Sequence, residues 1–452
     1  MKVLRIWMPA LMGIFLVISA EAQQQLSLSV DQAVALGVQN SKALHSSLMK
    51  VDFADAKASE VSASRLPSLK FQGGYTRFSE VPPFTFTLPI PVPPGVSNSF
   101  TLSPTVTNNF SMRASLRQPL FTGFRLDASK DVADYTAEAS GQDYVRDRSD
   151  LIYNVRNAYW SYYKAREFKK VIDDNVEQIK AHLRDVENQM DQGMATKNDV
   201  LKVRVQLSDA RFRQIDAGNS VRLSMIGLSN TLGISLSTEI TLLTDIDFQP
   251  KTYPDLNALI AHAIENRPDV KSMEYRVKAG EAGVTAARSG WFPQIYLTGN
   301  LYYERPNSRI FPTLDLFKET WDLGVSVSLD IWNWGTTVHQ TDQAQSQLAQ
   351  SRDAAGQLQD AITLEITQTY LNLTQARERI SVAHMTVEQA EENFRITGQR
   401  FKEGLALNTD MLDAEFALLQ AKLNHTQALV DYQLAEARLE KAVGGYDQPR
   451  RQ

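Results

Sequence analysis

The 452-residue chain contains no cysteine. That absence excludes a disulfide framework, a thiolate metal site and a lipid on an N-terminal cysteine. Neither sign of charge is in large excess, because the net charge is only -5. This balance argues against nucleic-acid binding. The six histidines are scattered without metal-ligand spacing, and no nucleotide-binding loop or nucleophile motif is present. The composition therefore predicts a protein that is not an enzyme and that uses no cofactor or metal.

Long apolar runs are also missing after Ile18, so no later segment reads as a transmembrane helix. The run Leu11–Ile18 is short and follows Lys2 and Arg5, and Ala20–Ala22 offers a small-residue cleavage site. This pattern is typical of an export signal. We therefore expect residues 1–22 to be a signal peptide and the mature protein to lie outside the cytoplasm.

Proline is absent from residues 120–249 and from residues 313–448, which together make up most of the chain. Because proline breaks helix interiors, these are the places where long helices are expected. Apolar residues recur there every three or four positions, and one such row runs from Leu412 through Phe416 to Val430. That period is typical of coiled coils. Gly193 and Gly404 interrupt it, and each is expected to form the tip of a helical hairpin.

The chain is a tandem duplication. Asn40 and Pro67 recur as Asn266 and Pro293, 226 residues later, and further on Gly193 recurs as Gly404 at an offset of 211. The difference of 15 residues falls in a proline-rich stretch of the first copy. We predict a first repeat at residues 23–249, a second at 250–445 and a tail at 446–452, each repeat containing a helix, a β-hairpin and a long helical hairpin.

Four segments alternate between apolar and polar residues, two in each repeat: 69–75, 110–116, 295–303 and 321–331. This alternation, and a length near ten residues, suit strands of a transmembrane β-barrel. A soluble hairpin would also alternate, but the charged opposite face disfavours it. The aromatic residues near the strand ends suit the girdles at the two membrane interfaces; they are Phe78, Phe121, Tyr302, Trp321, Trp332 and Trp334.

Four strands cannot close a barrel, and open strand edges are not tolerated in lipid. Two chains would supply eight strands and three would supply twelve. A polar inner face favours the wet lumen that twelve strands leave. We therefore expect a homotrimer with a twelve-stranded transmembrane barrel, continued by a coiled-coil barrel of the long helices.

Several short segments occur in an order that matches a known family. They are Leu28–Val34, Arg65–Leu69, Gln118–Gly123, Arg400–Gly404 and Asp410–Ala414. Together with the duplication, these segments resemble the TolC-like outer membrane efflux protein family over nearly the whole mature chain. The resemblance implies a trimeric channel-tunnel in the outer membrane that extends into the periplasm. It also implies two partners, an inner-membrane transporter and a periplasmic adaptor (membrane fusion) protein.

The same resemblance implies a gate at the helical tips. Asp410 and Asp413 match positions at which the family carries rings of aspartates facing the lumen. Three chains would bring six carboxylates together, which attracts cations. The alternative is helix-start chemistry, which suits Asp410 and its repeat partner Asp199. Asp413 is harder to explain in that way, because its repeat partner is Lys202.

This sequence departs from the family at the polar links that close the tip. Phe401 stands in place of a tyrosine that bonds to an acid matched by Asp199, and Ala406 stands in place of an arginine. We expect either the packing of Phe401 and Met411 or other charges, such as Lys202 and Arg204, to replace those links. The residues expected to meet the adaptor are those of the two tips: Gly193, Met194, Gly404 and Leu405.

The sequence therefore favours an outer membrane exit duct for small molecules. A duct for type I polypeptide secretion is an alternative that the sequence does not separate well. A soluble periplasmic coiled-coil scaffold is a third possibility.

Overall fold

Long helices and short strands alternate in the computed structural model, which describes residues 25–103, 105–246 and 248–445; for Leu102 and Ser103 it describes the backbone only. The expected signal peptide and C-terminal tail lie outside the described residues. The strands are β1 (Gln25–Leu28), β2 (Ser68–Arg77), β3 (Phe84–Thr87), β4 (Ser99–Ser103), β5 (Asn108–Phe121), β6 (Glu239–Leu242), β7 (Gln294–Arg305) and β8 (Lys318–Ser328). The helices are α1 (Val30–Asn40), α2 (Lys42–Ala63), α3 (Arg125–Asp191), α4 (Lys197–Thr231), α5 (Leu256–Asn266), α6 (Pro268–Arg288), α7 (Thr336–Lys402) and α8 (Asn408–Val443).

The proline-free stretches form the predicted long helices. Helices α3 and α7 each contain 67 residues, which corresponds to a length of about 100 Å. Gly141 and Gly356 do not interrupt them. None of the helices among the described residues combines the length and the apolar character needed to cross a bilayer.

The element order repeats, because α1–α2, a strand pair and α3–α4 are followed by α5–α6, a strand pair and α7–α8. The proline-rich insertion of the first copy carries a small hairpin of its own, formed by β3 and β4. The predicted repeat boundaries at residues 249 and 250 stay a prediction.

The chain divides into two units. The helical unit contains residues 25–42, 151–252 and 372–438, and the sheet unit contains residues 43–150, 253–371 and 439–445. In the helical unit, β1 and β6 pair in parallel. Tyr159 and Tyr162 of α3 donate hydrogen bonds to the carbonyl oxygens of Leu28 and Ile240, at 2.9 and 2.8 Å. These bonds satisfy two buried carbonyl groups and fix the strand pair against the helix.

In the sheet unit, four strands form an antiparallel sheet in the order β2-β5-β7-β8. The ladder ends at the pair Gln294–Ser328, so β8 stops three residues before the predicted end at Ile331. Directly opposed residues share a face of a sheet. The register therefore gathers one apolar face, which includes Leu69, Phe71, Leu301, Trp321 and Leu323.

The opposite face is polar and hydrogen-bonded across three strands. Arg113 of β5 donates to Asn300 Oδ1 of β7 at 2.7 Å, and Asn300 donates to Asp322 Oδ1 of β8 at 2.6 Å. Arg309, in the loop between β7 and β8, also pairs with Asp322. The predicted alternation is thus present, with one apolar face and one polar face of the sheet.

Candidate functional site at the helical tips

The two hairpin tips have the same backbone geometry. Gly193 and Gly404 have φ angles of 76° and 73°, in the left-handed region that glycine adopts without steric cost. Each amide donates to the carbonyl three residues earlier, and the next amide donates to the carbonyl five residues earlier. This is the Schellman arrangement, and it confirms the predicted helix reversals. Met194 and Leu405 follow these glycines and are exposed.

Asp199 and Asp410, which occupy equivalent positions in the two repeats, each accept a backbone hydrogen bond at the start of a helix. In copy one, Asp199 Oδ2 accepts from the Thr196 amide at 3.1 Å, and the Thr196 hydroxyl accepts from the Asp199 amide at 3.2 Å. The Thr196 hydroxyl also donates to Asp199 Oδ2 at 2.6 Å, and this bond, with that from the Thr196 amide, lowers the pKa of the Asp199 carboxyl. In copy two, Asp410 Oδ2 accepts from the Leu407 amide at 3.0 Å. Leucine offers no hydroxyl, so only half of the capping box forms.

Asp410 and Asp413 are both exposed and lie three residues apart in the first turns of α8. That spacing puts the two carboxylates on neighbouring positions of one helix surface. A capping role and a ring role are compatible for Asp410, because one carboxylate oxygen takes the backbone bond. Asp413 makes no capping contact with the residues that the structure describes, so its carboxylate depends less on the helix start.

Phe401 and Met411 are buried in one apolar cluster that joins the two helical hairpins. The cluster combines Val186 of α3 and Val200 and Val203 of α4 with these two residues. Gly404, Ala406 and Met194 line a cavity of about 300 Å³ beside it. The chain thus packs apolar groups where the family pattern has polar links.

A set of linked polar contacts, which the sequence did not reveal, lies beside this cluster. His182 Nε2 of α3 lies 2.9 Å from Asn408 Oδ1 at the start of α8, and Asn408 Nδ2 donates to the Asp199 carbonyl of α4 at 3.4 Å. The Phe401 ring stands edge-on to His182 at 5.0 Å. Burial lowers the pKa of His182, against the opposing effect of the Asn408 hydrogen bond. A neutral imidazole therefore links three helices at the tip.

Glu415, one turn beyond Met411, is the second group that the sequence did not reveal. It is 3% exposed, and neither carboxylate oxygen has a hydrogen-bond partner among the described residues. Burial raises its pKa to about 7. Glu415 could have been noticed as an acidic residue among the apolar residues of α8, but the sequence did not show which row of that helix faces inward.

The predicted girdle aromatics lie in the sheet unit. Trp321 lies on the apolar face, and Trp332 and Trp334 follow β8 and are strongly exposed. Phe121 ends β5, and Phe78 follows β2. Tyr302 lies on the polar face instead, because its register partner is Arg113.

Tyr302 is held between two arginines, with the guanidinium groups of Arg113 and Arg309 at 5.1 and 4.2 Å from the ring centroid. Its neighbour Tyr303 occupies the apolar face. The described residues contain no group of three or more histidine or acidic side chains arranged to hold a metal ion.

The sequence matches the outer membrane efflux protein family over residues 35–234 and 259–445. It is 23% identical over 329 residues to the outer membrane efflux protein BepC of Brucella suis, covering 71% of this chain and 70% of BepC. It is 23% identical over 341 residues to the alkaline protease secretion protein AprF of Pseudomonas aeruginosa, covering 74% and 69% of the two chains.

The fold is similar to the solved structure of the outer-membrane channel OprN, with a TM-score of 0.75 and 19% identity over 92% of this chain and 90% of that one. The helices, the sheet and the duplicated element order are thus those of an outer-membrane channel. The chain belongs to the outer membrane efflux protein family and is an exit duct of the outer membrane.

Proposed function

We propose that three copies of this chain form the outer membrane component of a tripartite efflux system. In this system the duct receives small molecules from an inner-membrane transporter through a periplasmic adaptor and releases them outside. The observation that carries the proposal is a four-stranded sheet that is open at both edges and exposes a whole apolar face.

The apolar face supports insertion into lipid. Leu69 is 78% exposed and Trp321 is 73% exposed, and both belong to the apolar face of the sheet. Burying such side chains contributes roughly 1.5–3 kcal/mol each, so a face of this size is not left in water. A soluble scaffold would have to leave it there, and the scaffold is disfavoured for that reason.

The open edges support assembly. The outer edges of β2 and β8 have no ladder partner among the described residues, and lipid cannot satisfy their backbone groups. Pairing β8 of one chain with β2 of the next extends the sheet, and three chains give twelve strands. Barrels of about eight strands are filled by side chains, whereas twelve leave room for a lumen lined by the polar face.

The helices support the same assembly. Helix α4 carries an exposed apolar row outside the core of its own chain: Leu201, Val205, Phe212, Ile215 and Leu223. The spacing follows a coiled-coil stripe. A neighbouring copy that covers this row would complete a tube of helices around the lumen.

The tip supports gating and docking roles. The six carboxylates of Asp410 and Asp413 in a trimer would form a cation-selective constriction, with Asp199 as part of the same ring of helix starts. Phe401 and Met411 would hold the hairpins together below it. The exposed side chains of Met194 and Leu405, with the backbone of Gly193 and Gly404, would meet the adaptor.

The aromatic residues around the sheet support its placement in the outer membrane. Phe78, Phe121, Trp321, Trp332 and Trp334 would lie at the interfaces with the lipid, where aromatic rings are favoured. Tyr303 takes the place expected for Tyr302, whose ring would face the lumen between its two arginines.

Secretion of polypeptides is the second candidate. The observation that favours it is the similarity to AprF, which is named for secretion of a protease. Both functions use the same trimeric duct, and they differ in the transporter that feeds it.

A cysteine pair tests the assembly directly, because the chain has no cysteine of its own. Thr76→Cys on β2 is combined in turn with Thr320→Cys, Ser326→Cys or Ser328→Cys on β8, and the protein is oxidised in outer membranes. We expect one pair to give a covalent trimer on non-reducing gels, while each single variant stops at the monomer. Monomers in mild detergent by light scattering, with no crosslinked trimer from any pair, would overturn the proposal.

A further inference from the structure

Glu415 occupies a position that a carboxylate normally avoids. It lies within the packed tip, and both of its oxygens lack hydrogen-bond partners among the described residues. An ionised carboxylate without partners is costly to bury, and such a group in a native structure calls for an explanation.

A cavity of about 360 Å³ separates Glu415 from the side chains that could neutralise it. The charged and titratable groups lining this cavity are His182 and Asp185 on α3, and Arg395 and Lys402 on α7. Arg395 is already held by Glu392 through two contacts of 2.7 Å. Lys402 lies in the last turn of α7 and is exposed. The cavity thus offers space for movement and a cation within the same hairpin.

We propose that Glu415 is a proton-binding site that couples the packing of the tip to pH. The packed tip holds the neutral acid. When the proton is lost to water, the carboxylate leaves its apolar surroundings, α8 parts from α3 and α7, and Glu415 reaches water or the Lys402 ammonium. The consequence for transport rests on the proposed function, because it takes the tip as the gate of the duct.

The direction of the pH effect follows from the two protonation states. Below pH 4.5, the ordinary pKa, Glu415 is neutral whether the tip is packed or parted. Between pH 4.5 and about 7 only the packed tip holds the proton, so packing weakens as the pH rises, and above 7 the penalty is constant. If the carboxylate becomes fully solvated, the packing equilibrium changes by up to about 300-fold over that range.

His182 acts in the opposite direction. Because burial lowers its pKa, its protonation below pH 6.5 weakens packing as the pH falls. A comparison between wild type and a Glu415 variant at each pH cancels this contribution.

The test is hydrogen exchange of the full trimer in detergent, followed by mass spectrometry of the first turns of α8 from pH 4.5 to 8. Glu415→Gln has the shape of the neutral acid. We expect the ratio of its protection to that of wild type to rise from about 1 at pH 4.5 to between about 10 and 300 at pH 7.5.

Glu415→Met, which also cannot ionise, should give the same profile if Glu415→Gln folds poorly. Glu391→Gln is the matched control. Glu391 is an acid of α7 that pairs with Lys422 of α8 at 3.0 Å, but its side chain is half exposed. A ratio that stays constant with pH, or an equal change in the control, would overturn the proposal.

Conductance in planar bilayers separates this proposal from the duct itself. We expect wild-type open probability to exceed that of Glu415→Gln increasingly as the pH rises from 4.5 to 7. Wild-type protein that forms no conducting pore at any pH would contradict the duct, while the exchange ratio still reports on Glu415. A conducting pore whose open probability is identical in the two proteins at every pH would contradict the role of Glu415 alone.

Discussion

Removal of the Phe401 ring should loosen the tip of the duct. Phe401 is only 5% exposed, packs in the cluster that joins the two hairpins and contacts His182 edge-on at 5.0 Å. Its carbonyl also accepts a hydrogen bond from Gln189 Nε2 at 3.1 Å, and this contact survives a side-chain substitution. Phe401→Ala therefore isolates the loss of packing.

Truncation of a buried phenylalanine costs about 3–5 kcal/mol, including the cavity that remains. If the whole cost falls on local opening, exchange of the first α8 amides should accelerate by about 100- to 4,000-fold, because each 1.4 kcal/mol is a factor of ten. The packed tip should also be populated less, so we expect a higher open probability in planar bilayers.

Hydrogen exchange with mass spectrometry measures this acceleration in the detergent-solubilised protein. Phe53→Ala is the matched control, because it removes the same atoms from a position on α2 that is 73% exposed. An acceleration below tenfold in Phe401→Ala, or an equal one in Phe53→Ala, would refute the reasoning that the Phe401 cluster holds the tip.

Two further predictions concern the junction of sheet and helix and the proposed constriction. Gly123→Ala should prevent correct folding, because φ is +60° and the new Cβ would lie 2.6 Å from the Ser289 carbonyl oxygen. Gly335→Ala, whose new Cβ would make only ordinary contacts, should lower the free energy of unfolding by about 1 kcal/mol. Folded yield and melting temperature distinguish the two variants. Asp413→Asn should reduce cation selectivity and block by multivalent cations in bilayers with little effect on stability, whereas Asp410→Asn should also weaken the start of α8 by about 0.5–1 kcal/mol. Unchanged cation selectivity and unchanged block in the double variant would contradict the proposed aspartate ring.

The long helices could be predicted from sequence because single residue types mark them, and the strands could be predicted because apolar and polar residues alternate along them. Absence of proline marks α3, α4, α7 and α8, and glycine marks their reversals at residues 193 and 404. The end of β8 at Ser328 could not be predicted, because the apolar alternation continues past the point where β7 supplies a partner. Its position near a strand end placed Tyr302 among the interface aromatics, although both the alternation and the register assign it to the polar face with Arg113.

The sequence did not show which side chains of α8 pack within the chain. Leu419 of the row through Leu412 and Phe416 is buried, but Phe416 is exposed, and Glu415 and Leu418 beside that row are buried. A helix that packs within its own chain and also meets a neighbour has two apolar rows, and periodicity cannot rank them. The contact between His182 and Asn408 could not be foreseen either, since 226 residues separate them.

Divergence between the repeats at the tip predicts which half opens more readily. Asp199 and Asp410 are shared, but Arg204 of copy one corresponds to Glu415 of copy two. Arg204 is exposed and paired with Glu187 at 2.8 Å, so the charge at that position is satisfied at the surface. Glu415 is buried and unpaired, and α8 lacks the hydroxyl that completes the capping box of α4 at Thr196. We therefore expect the first two turns of α8 to exchange at least tenfold faster than those of α4 in the wild-type protein at pH 7.5, and equal or slower exchange in α8 would contradict this asymmetry.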